Sequence, residues 1–273
     1  MGKIRLLVTD IDDTLIPGGT DYLNPNLEAV IHKALDAGIH VGIATGRGFK
    51  GAKGVVGSLT KRINFITGNG AVVSLEDGRK KVVALGDDKL TKSLVEYARE
   101  SGHDWVVQGM ESVFYEKVSN RFLEAMKVAG ITCNPVDDVL NMEDKITTLS
   151  FNFSDGMEKE YINHRGLDPF RKELVFSLAG CGFIDIYNKG ASKGRGIKIL
   201  QEHLGVGPEE TAVFGDSPND ISMFSCAEYS YAVEGASKEV KNVAKAVIKG
   251  PEQSGLLKYI EDLLRKNGEV DGW

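Results

Sequence analysis

Three carboxylates, Asp10, Asp12 and Asp13, crowd the end of an apolar run in the segment Ile4 to Leu15 (IRLLVTDIDDTL), and the hydroxyl of Thr14 follows them. An apolar run bounded by polar turn residues is the pattern of a strand buried on both faces, as in a parallel sheet. The acids then sit at its C-terminal tip, the edge where open α/β sheets bind ligands. Acids so close repel one another unless a cation holds them together. With carboxylates at hand and no neighbouring His or Cys, that cation is a hard divalent ion such as magnesium rather than zinc. The alternative for the same acids is a role as Asx-turn or capping groups at a strand-to-loop junction.

Three further stretches have comparable chemistry. His40 to Ala44 reads as a strand ending in Thr45-Gly46-Arg47, where a hydroxyl and an approachable backbone could hold phosphate oxygens or cap the next helix. Thr211 to Phe214 is a continuous apolar strand ending in Gly215-Asp216-Ser217-Pro218-Asn219-Asp220, a second acidic tip. Between them Ser192 begins a helix carrying Lys193, which by itself would be a solvated helix lysine. Two acidic strand tips far apart in the chain, with a Thr-Gly tip and a helix-initial lysine between them, point together to a single site.

The elements that must position these groups follow from the remaining pattern. Asn24 caps a helix opening at Pro25 and stopped at Gly38, with Leu27, Val30, Ile31, Ala34 and Leu35 at helical spacing. Asn64 to Thr67 is a further buried strand, and Ala71 to Leu75 with Lys81 to Leu85 flank a Glu76-Asp77-Gly78 turn as a hairpin. From Asp87 the grammar changes. Helices at Thr91 to Ser101 and Ser119 to Ala129 alternate with strand-like runs at Trp105 to Val107, Val113 to Tyr115, Thr147 to Phe153, Leu174 to Leu178 and Phe183 to Tyr187. Their alternation of apolar and polar residues implies an antiparallel sheet. The aromatics Trp105, Phe114, Tyr115, Phe183 and Tyr187 fit the core of this region or its inner face. An α+β domain is thus inserted at 86–188, hinged at Asp87-Asp88 and Asn188-Lys189-Gly190, within an α/β domain made of 1–85 and 189–273. In the latter, helices at Ile221 to Cys226, Ser237 to Ala244 and Gln253 to Arg265 alternate with strands at Tyr229 to Val233 and Ala246 to Ile248, and Asn267 to Trp273 reads as a frayed tail.

Composition narrows the possible functions. The chain has 273 residues, 42% hydrophobic and 26% charged, which suits a soluble globular protein with room for two modest domains. Its net charge of −6 without a dense Lys/Arg block argues against nucleic acid as a partner. No window is apolar enough to span a membrane, and the N-terminus lacks a signal-peptide core. Cys133, Cys181 and Cys226 lie outside any CxxC and read as small buried hydrophobes in a reducing cytoplasm. His32, His40, His103, His164 and His203 have no metal-ligand spacing.

Four segments, DIDDTL (10–15), ATGR (44–47), SKGRGI (192–197) and GDSPNDISMF (215–224), resemble in order and spacing the motifs of the haloacid dehalogenase (HAD) superfamily of aspartyl phosphatases, and within it the Cof-type phosphatases with a C2-type cap inserted late. The resemblance spans nearly the whole chain, the inserted stretch matching in size and grammar rather than by motif. It implies a Rossmann-like parallel-sheet core with an α+β cap. It implies Asp10 as the nucleophile that forms an aspartyl-phosphate and Asp12 as general acid and base. Mg²⁺ would lie on the Asp10 carboxylate, the Asp12 carbonyl and Asp216, and phosphate contacts would come from Ile11, Thr45, Gly46, Lys193 and Asn219. Ser217 and Asp220 would support these groups, with Asp220 either hydrogen-bonded to Lys193 or a metal-bound water, or capping the helix at Ile221. Asp13 stands where the family carries glycine, and Gly48 where proline is frequent.

The activity so implied is Mg²⁺-dependent hydrolysis of a small phosphate monoester, a sugar phosphate or similar metabolite, by a cytoplasmic monomer or homodimer whose cap chooses the leaving group. A phosphomutase would use the same nucleophile but return the phosphoryl group to sugar, and a non-catalytic phospho-acceptor would retain it. Mutases of the superfamily generally carry a smaller, earlier cap, and receiver domains are half this length with no insertion.

Overall fold

A computed structural model describes residues 2–128, 131–153, 156–179 and 182–270. The chain divides into two compact units, one made of Met1–Thr45, Ala52–Lys81 and Ser192–Trp273, the other of Gly46–Gly51 and Val82–Ala191.

The first unit opens with β1 (Gly2–Lys3) and β2 (Leu6–Thr9), the latter buried along its whole length. α1 (Pro25–Asp36) begins where Asn24 Oδ1 accepts the Asn26 N–H at 2.9 Å, and it stops ahead of Gly38. β3 (His40–Ala44), α2 (Phe49–Val56), β4 (Asn64–Thr67), β5 (Val72–Ser74) and β6 (Lys80–Val82) follow. α2, with the sequence FKGAKGVV, carries little helical signal because two glycines weaken it. Burial of Ala52, Val55 and Val56 is what stabilises it. The hairpin is shorter than the sequence pattern implies, closing at the Leu75 N–H to Arg79 O bond of 2.8 Å. Leu85 belongs to the second unit instead, fully buried beside Leu94 and Val107 with its N–H on Ile146 O.

The second unit continues with α3 (Asp88–Glu100), β7 (Asp104–Gln108), β8 (Val113–Tyr115), α4 (Asn120–Val128), β9 (Cys133–Pro135), β10 (Thr148–Asn152), α5 (Glu158–Tyr161), β11 (Leu174–Ala179) and β12 (Phe183–Asn188). Asp87 is the N-cap of α3, accepting the Leu90 N–H at 2.8 Å, so the helix starts earlier than Thr91. The strands form one sheet in the order β11-β12-β10-β7-β8-β9, antiparallel except between β8 and β9. Trp105, Val107, Leu149, Phe151, Ile184 and Ile186 alternate into one core with Phe114 against it, while Val106 on the opposite face meets Phe122 and Met126 of α4 together with Tyr115 and Phe183. Leu85 sits in this core, and Asn188 Nδ2 donates to the Leu85 carbonyl. Cys181 and the end of the Ser119 to Ala129 helix fall outside the described residues.

In this sheet Asp185 is buried, with Ser150 Oγ donating to it at 2.7 Å, and burial pushes its carboxyl up to about 6. A raised carboxyl contributes no cost below the unfolded-state value, where both states are protonated, and an increasing cost as pH rises through about 6. That rise corresponds to ~3 kcal/mol. Asp185→Asn removes the charge and keeps a partner for Ser150. Urea unfolding is expected to give it up to ~3 kcal/mol more stability than wild type at pH 7.5 and none at pH 3.5.

The chain then returns to the first unit with α6 (Lys193–Leu204), β13 (Thr211–Gly215), α7 (Ile221–Phe224), β14 (Tyr229–Val233), α8 (Lys238–Val243), β15 (Ala246–Ile248), α9 (Gly255–Arg265) and β16 (Glu269–Val270). The expected frayed tail is corrected at Glu269–Val270, which pairs antiparallel with Gly2–Lys3 and is braced by the Ile4 N–H to Gly268 O bond of 2.8 Å. The central sheet runs β15-β14-β13-β2-β3-β4-β5-β6, parallel from β15 to β4. Strand order reverses where β2 lies between β13 and β3, so ligand-binding geometry is expected at the C-terminal ends of these strands. Leu6, Val8, Ala44, Ile66 and Val213 from the strands pack with Ile197, Leu200 and Met223 from α6 and α7. Among the described residues no helix is long and apolar enough to cross a membrane.

Candidate active site

Chemically active groups emerge from the C-terminal ends of neighbouring strands. Asp10 follows β2, and its N–H continues the ladder to Phe214 O of β13 at 3.0 Å. The chain then turns on the Ile11 carbonyl, which accepts N–H groups from Thr14, Leu15 and Ile16. Asp216 follows β13, where Thr14 Oγ1 and Ser217 Oγ donate to its two oxygens at 3.2 and 2.7 Å. Thr45 follows β3 and is buried, its N–H on Ile66 O and its carbonyl accepting from Asn69. The first turn of α6 brings in Lys193. Its exit from the Ser192 cap is fixed by two close approaches: a Cβ on Gly194 would lie 2.1 Å from Ser222 O, and one on Gly196 would lie 2.4 Å from Ile66 Cγ2.

Lys193 is 1% exposed and joins the two ends of the chain. Its Nζ donates to Asp10 Oδ1 at 2.7 Å and to Asp220 Oδ1 at 2.6 Å. Asp220 Oδ2 accepts the N–H groups of Asp216 and Ser217 at 2.9 and 3.0 Å. Both Asp220 oxygens are therefore engaged, and its side chain does not cap the helix at Ile221. Burial alone would lower the Lys193 pKa, but the two carboxylates outweigh it and hold the ammonium charged. The opposite holds for Asp10: burial, together with the charges of Asp220 and Asp216, pushes its carboxyl well above the ordinary range despite Lys193. Burial also raises Asp216, against the bonds from Ser217 and Thr14.

This arrangement fits a cation. Asp10, Asp216 and Asp220 each present an oxygen, all within 4.8 Å of one another. Three carboxylates against one ammonium leave two negative charges uncompensated in a largely buried site, which a divalent ion would balance. Asp216 and Asp220 each accept hydrogen bonds on both oxygens, and Asp10 accepts from Lys193 on Oδ1. The all-oxygen donor set suits a hard ion and not a thiolate- or imidazole-seeking one.

The family model of haloacid dehalogenase-like hydrolases matches residues 7–260. The chain belongs to this family. A 5-amino-6-(5-phospho-D-ribitylamino)uracil phosphatase of Escherichia coli is 24% identical over 274 residues, covering 98% of this chain and 99% of that protein. A phosphoglycolate phosphatase of Halorubrum lacusprofundi is 28% identical over 258 residues, covering 94% and 96%. A solved HAD/COF-like structure from Plasmodium vivax shares the fold with a TM-score of 0.86 at 20% identity over 97% of each chain.

Of the residues the HAD motifs single out, Asp10, Thr14, Lys193, Asp216, Ser217 and Asp220 lie in one hydrogen-bonded network. Asp12 lies on the turn beyond Asp10 and bridges to Ile16. Gly46 opens the segment grouped with the second unit. Asp13 has a left-handed φ of 56° and accepts the Gly18 N–H at 2.9 Å. The backbone demand for which glycine is suited is thus met by an aspartate whose exposed carboxylate closes its own turn. Asn219 Nδ2 donates at 2.9 Å to Asn69 Oδ1, a residue sequence reasoning passes over because Gly68-Asn69-Gly70 reads as an ordinary turn.

Proposed function

We propose that this HAD family member is a Mg²⁺-dependent phosphatase that hydrolyses a small-molecule phosphate monoester, a sugar phosphate or similar metabolite, through an aspartyl-phosphate on Asp10. The observation that supports this reading most directly is the buried Asp10–Lys193–Asp220 chain beside Asp216 at the tips of β2 and β13. A carboxylate used as nucleophile must be ionised and aimed, and Lys193 serves both needs by favouring the charged form and fixing one oxygen. Magnesium, held by Asp10, the Asp12 carbonyl and Asp216, would supply the charge that offsets repulsion between two anions.

In the first half-reaction the free Asp10 oxygen attacks phosphorus, the bond to the leaving oxygen breaks, and Asp12 gives that oxygen its proton. Asp12, now a carboxylate, takes a proton from water as the water attacks phosphorus. The bond from phosphorus to Asp10 then breaks, releasing inorganic phosphate and restoring both acids. Thr45, Lys193, Asn219 and the main chain at Ile11 and Gly46 grip the phosphoryl oxygens, so that alignment and positive charge carry most of the catalysis. The widely separated cysteines, of which Cys133 and Cys226 are free thiols, suit a reducing cytoplasm.

Turnover of p-nitrophenyl phosphate tests the reading. Activity is expected with Mg²⁺, should vanish on chelation, and should return with Mg²⁺ but poorly with Zn²⁺. Sugar phosphates should release inorganic phosphate without forming an isomer. Turnover that survives chelation would contradict the assignment of this acidic cluster, and isomer formation would turn the reading to a mutase.

A further inference from the structure

We infer that Asn69 is a positioning residue of the active site, acting through Asn219. The inference rests on the reading above that Asn219 holds phosphoryl oxygens. After β4 the backbone enters three consecutive left-handed residues, Gly68, Asn69 and Gly70, with φ of 55°, 55° and 92°. All three are buried. Two glycines meet such a demand at little cost, and a third would have met it more easily than an asparagine. What the middle position gains from asparagine is the side-chain amide.

That amide has a defined task. Asn69 Oδ1 accepts the Asn219 Nδ2 hydrogen bond at 2.9 Å, across 150 residues of sequence. Asn219 Oδ1 is buried and receives no hydrogen bond among the described residues. An amide with an unpaired buried oxygen has reason to rotate away, and the bond to Asn69 opposes that rotation. The same short loop is tied to the rest of the site by two other contacts. The Asn69 N–H donates to the Thr45 carbonyl at 3.0 Å. Gly70 meets the cap of α6 so closely that a Cβ there would lie 2.1 Å from Ser192 O. One three-residue turn thereby sets the tip of β3, the entry of the helix carrying Lys193, and the amide of Asn219. Asp220, the next residue, receives the Lys193 bond, so the orientation of the turn at 218–220 bears on both phosphate-facing groups.

The test is a double-mutant cycle in the full-length protein. Asn69→Gly keeps the left-handed backbone and removes only the acceptor, and Asn219→Ala removes its partner. Two quantities are read with Mg²⁺ present: kcat/KM for p-nitrophenyl phosphate, and the constant for competitive inhibition by inorganic phosphate. Asn69→Gly is expected to worsen both by about tenfold, the order set by one hydrogen bond, with the melting temperature little changed. In the Asn219→Ala background the same substitution should have no further effect. Equal losses in both backgrounds would mean that Asn69 is merely structural and would overturn the inference. A silent Asn69→Gly beside a costly Asn219→Ala would overturn it as well. A silent Asn219→Ala would instead remove the phosphate-holding role of Asn219 on which the inference stands.

Discussion

Asp10→Asn is expected to lower turnover by a factor on the order of 10⁴ or more while leaving the protein as stable as wild type or more so. The substitution is isosteric and keeps an oxygen for Lys193 Nζ, now 2.7 Å from Asp10 Oδ1. What it removes is the nucleophilic lone pair in its ionised form, and no neighbouring carboxylate can replace it. Asp220 is held on Lys193 and two backbone N–H groups, and Asp216 on Thr14 and Ser217. Stability moves in the other direction because burial already pushes the Asp10 carboxyl well above its ordinary range. A neutral amide relieves both that desolvation and the repulsion from Asp220 and Asp216, so the site trades folding stability for reactivity. The comparison is steady-state kinetics together with thermal melts in chelator. Residual turnover above about one per cent would argue against a covalent route through Asp10.

Lys193→Met carries the second large effect, on folding as well as on rate. The ammonium is buried and lies between two carboxylates that are themselves 5% and 0% exposed. Methionine has a similar apolar stem but leaves Asp10 and Asp220 facing each other without compensation, a loss expected at ~3–5 kcal/mol at neutral pH. The sign of its pH dependence is fixed by the direction in which the Asp10 carboxyl moves. Without Lys193, which opposes its rise, that carboxyl rises further, so the variant binds a proton in the folded state that the unfolded chain does not. Its deficit is therefore smallest in acid and grows as pH rises toward neutrality. Urea unfolding at pH 5 and pH 7.5 reads this, and added Mg²⁺ should recover part of the deficit by supplying a cation to the same acids. A variant as stable as wild type at pH 7.5 would show that Lys193 does not balance these charges.

Much of this site is legible in the linear chain, because HAD motifs place their chemistry at strand ends, which apolar runs mark well. The buried runs of β2, β3 and β13 and the caps Asn24 and Ser192 agree with their sequence signals, since each depends on local pattern. Features that depend on distant partners do not. α2 is held by burial against weak intrinsic propensity. Leu85 is apolar and fits a hairpin by pattern, yet it packs in a different core. Asp220 precedes a helix and looks like its cap, but a lysine 27 residues upstream takes its carboxylate. Asn69 is the clearest case: its turn is readable in sequence, whereas its partner Asn219 becomes apparent only once β4 and β13 lie in one sheet.

The place of β2 between β3 and β13 also has a consequence for biosynthesis. Its partner on one side is made within a few dozen residues, whereas the strand that covers its other edge begins at Thr211. A ribosome-bound chain must therefore carry this strand with one row of amides and carbonyls unpaired through most of its own translation. Such an edge invites pairing with another nascent chain. Fragments ending before β13 should accordingly be the aggregation-prone products of this gene, and slow translation through the middle of the message the condition that exposes them.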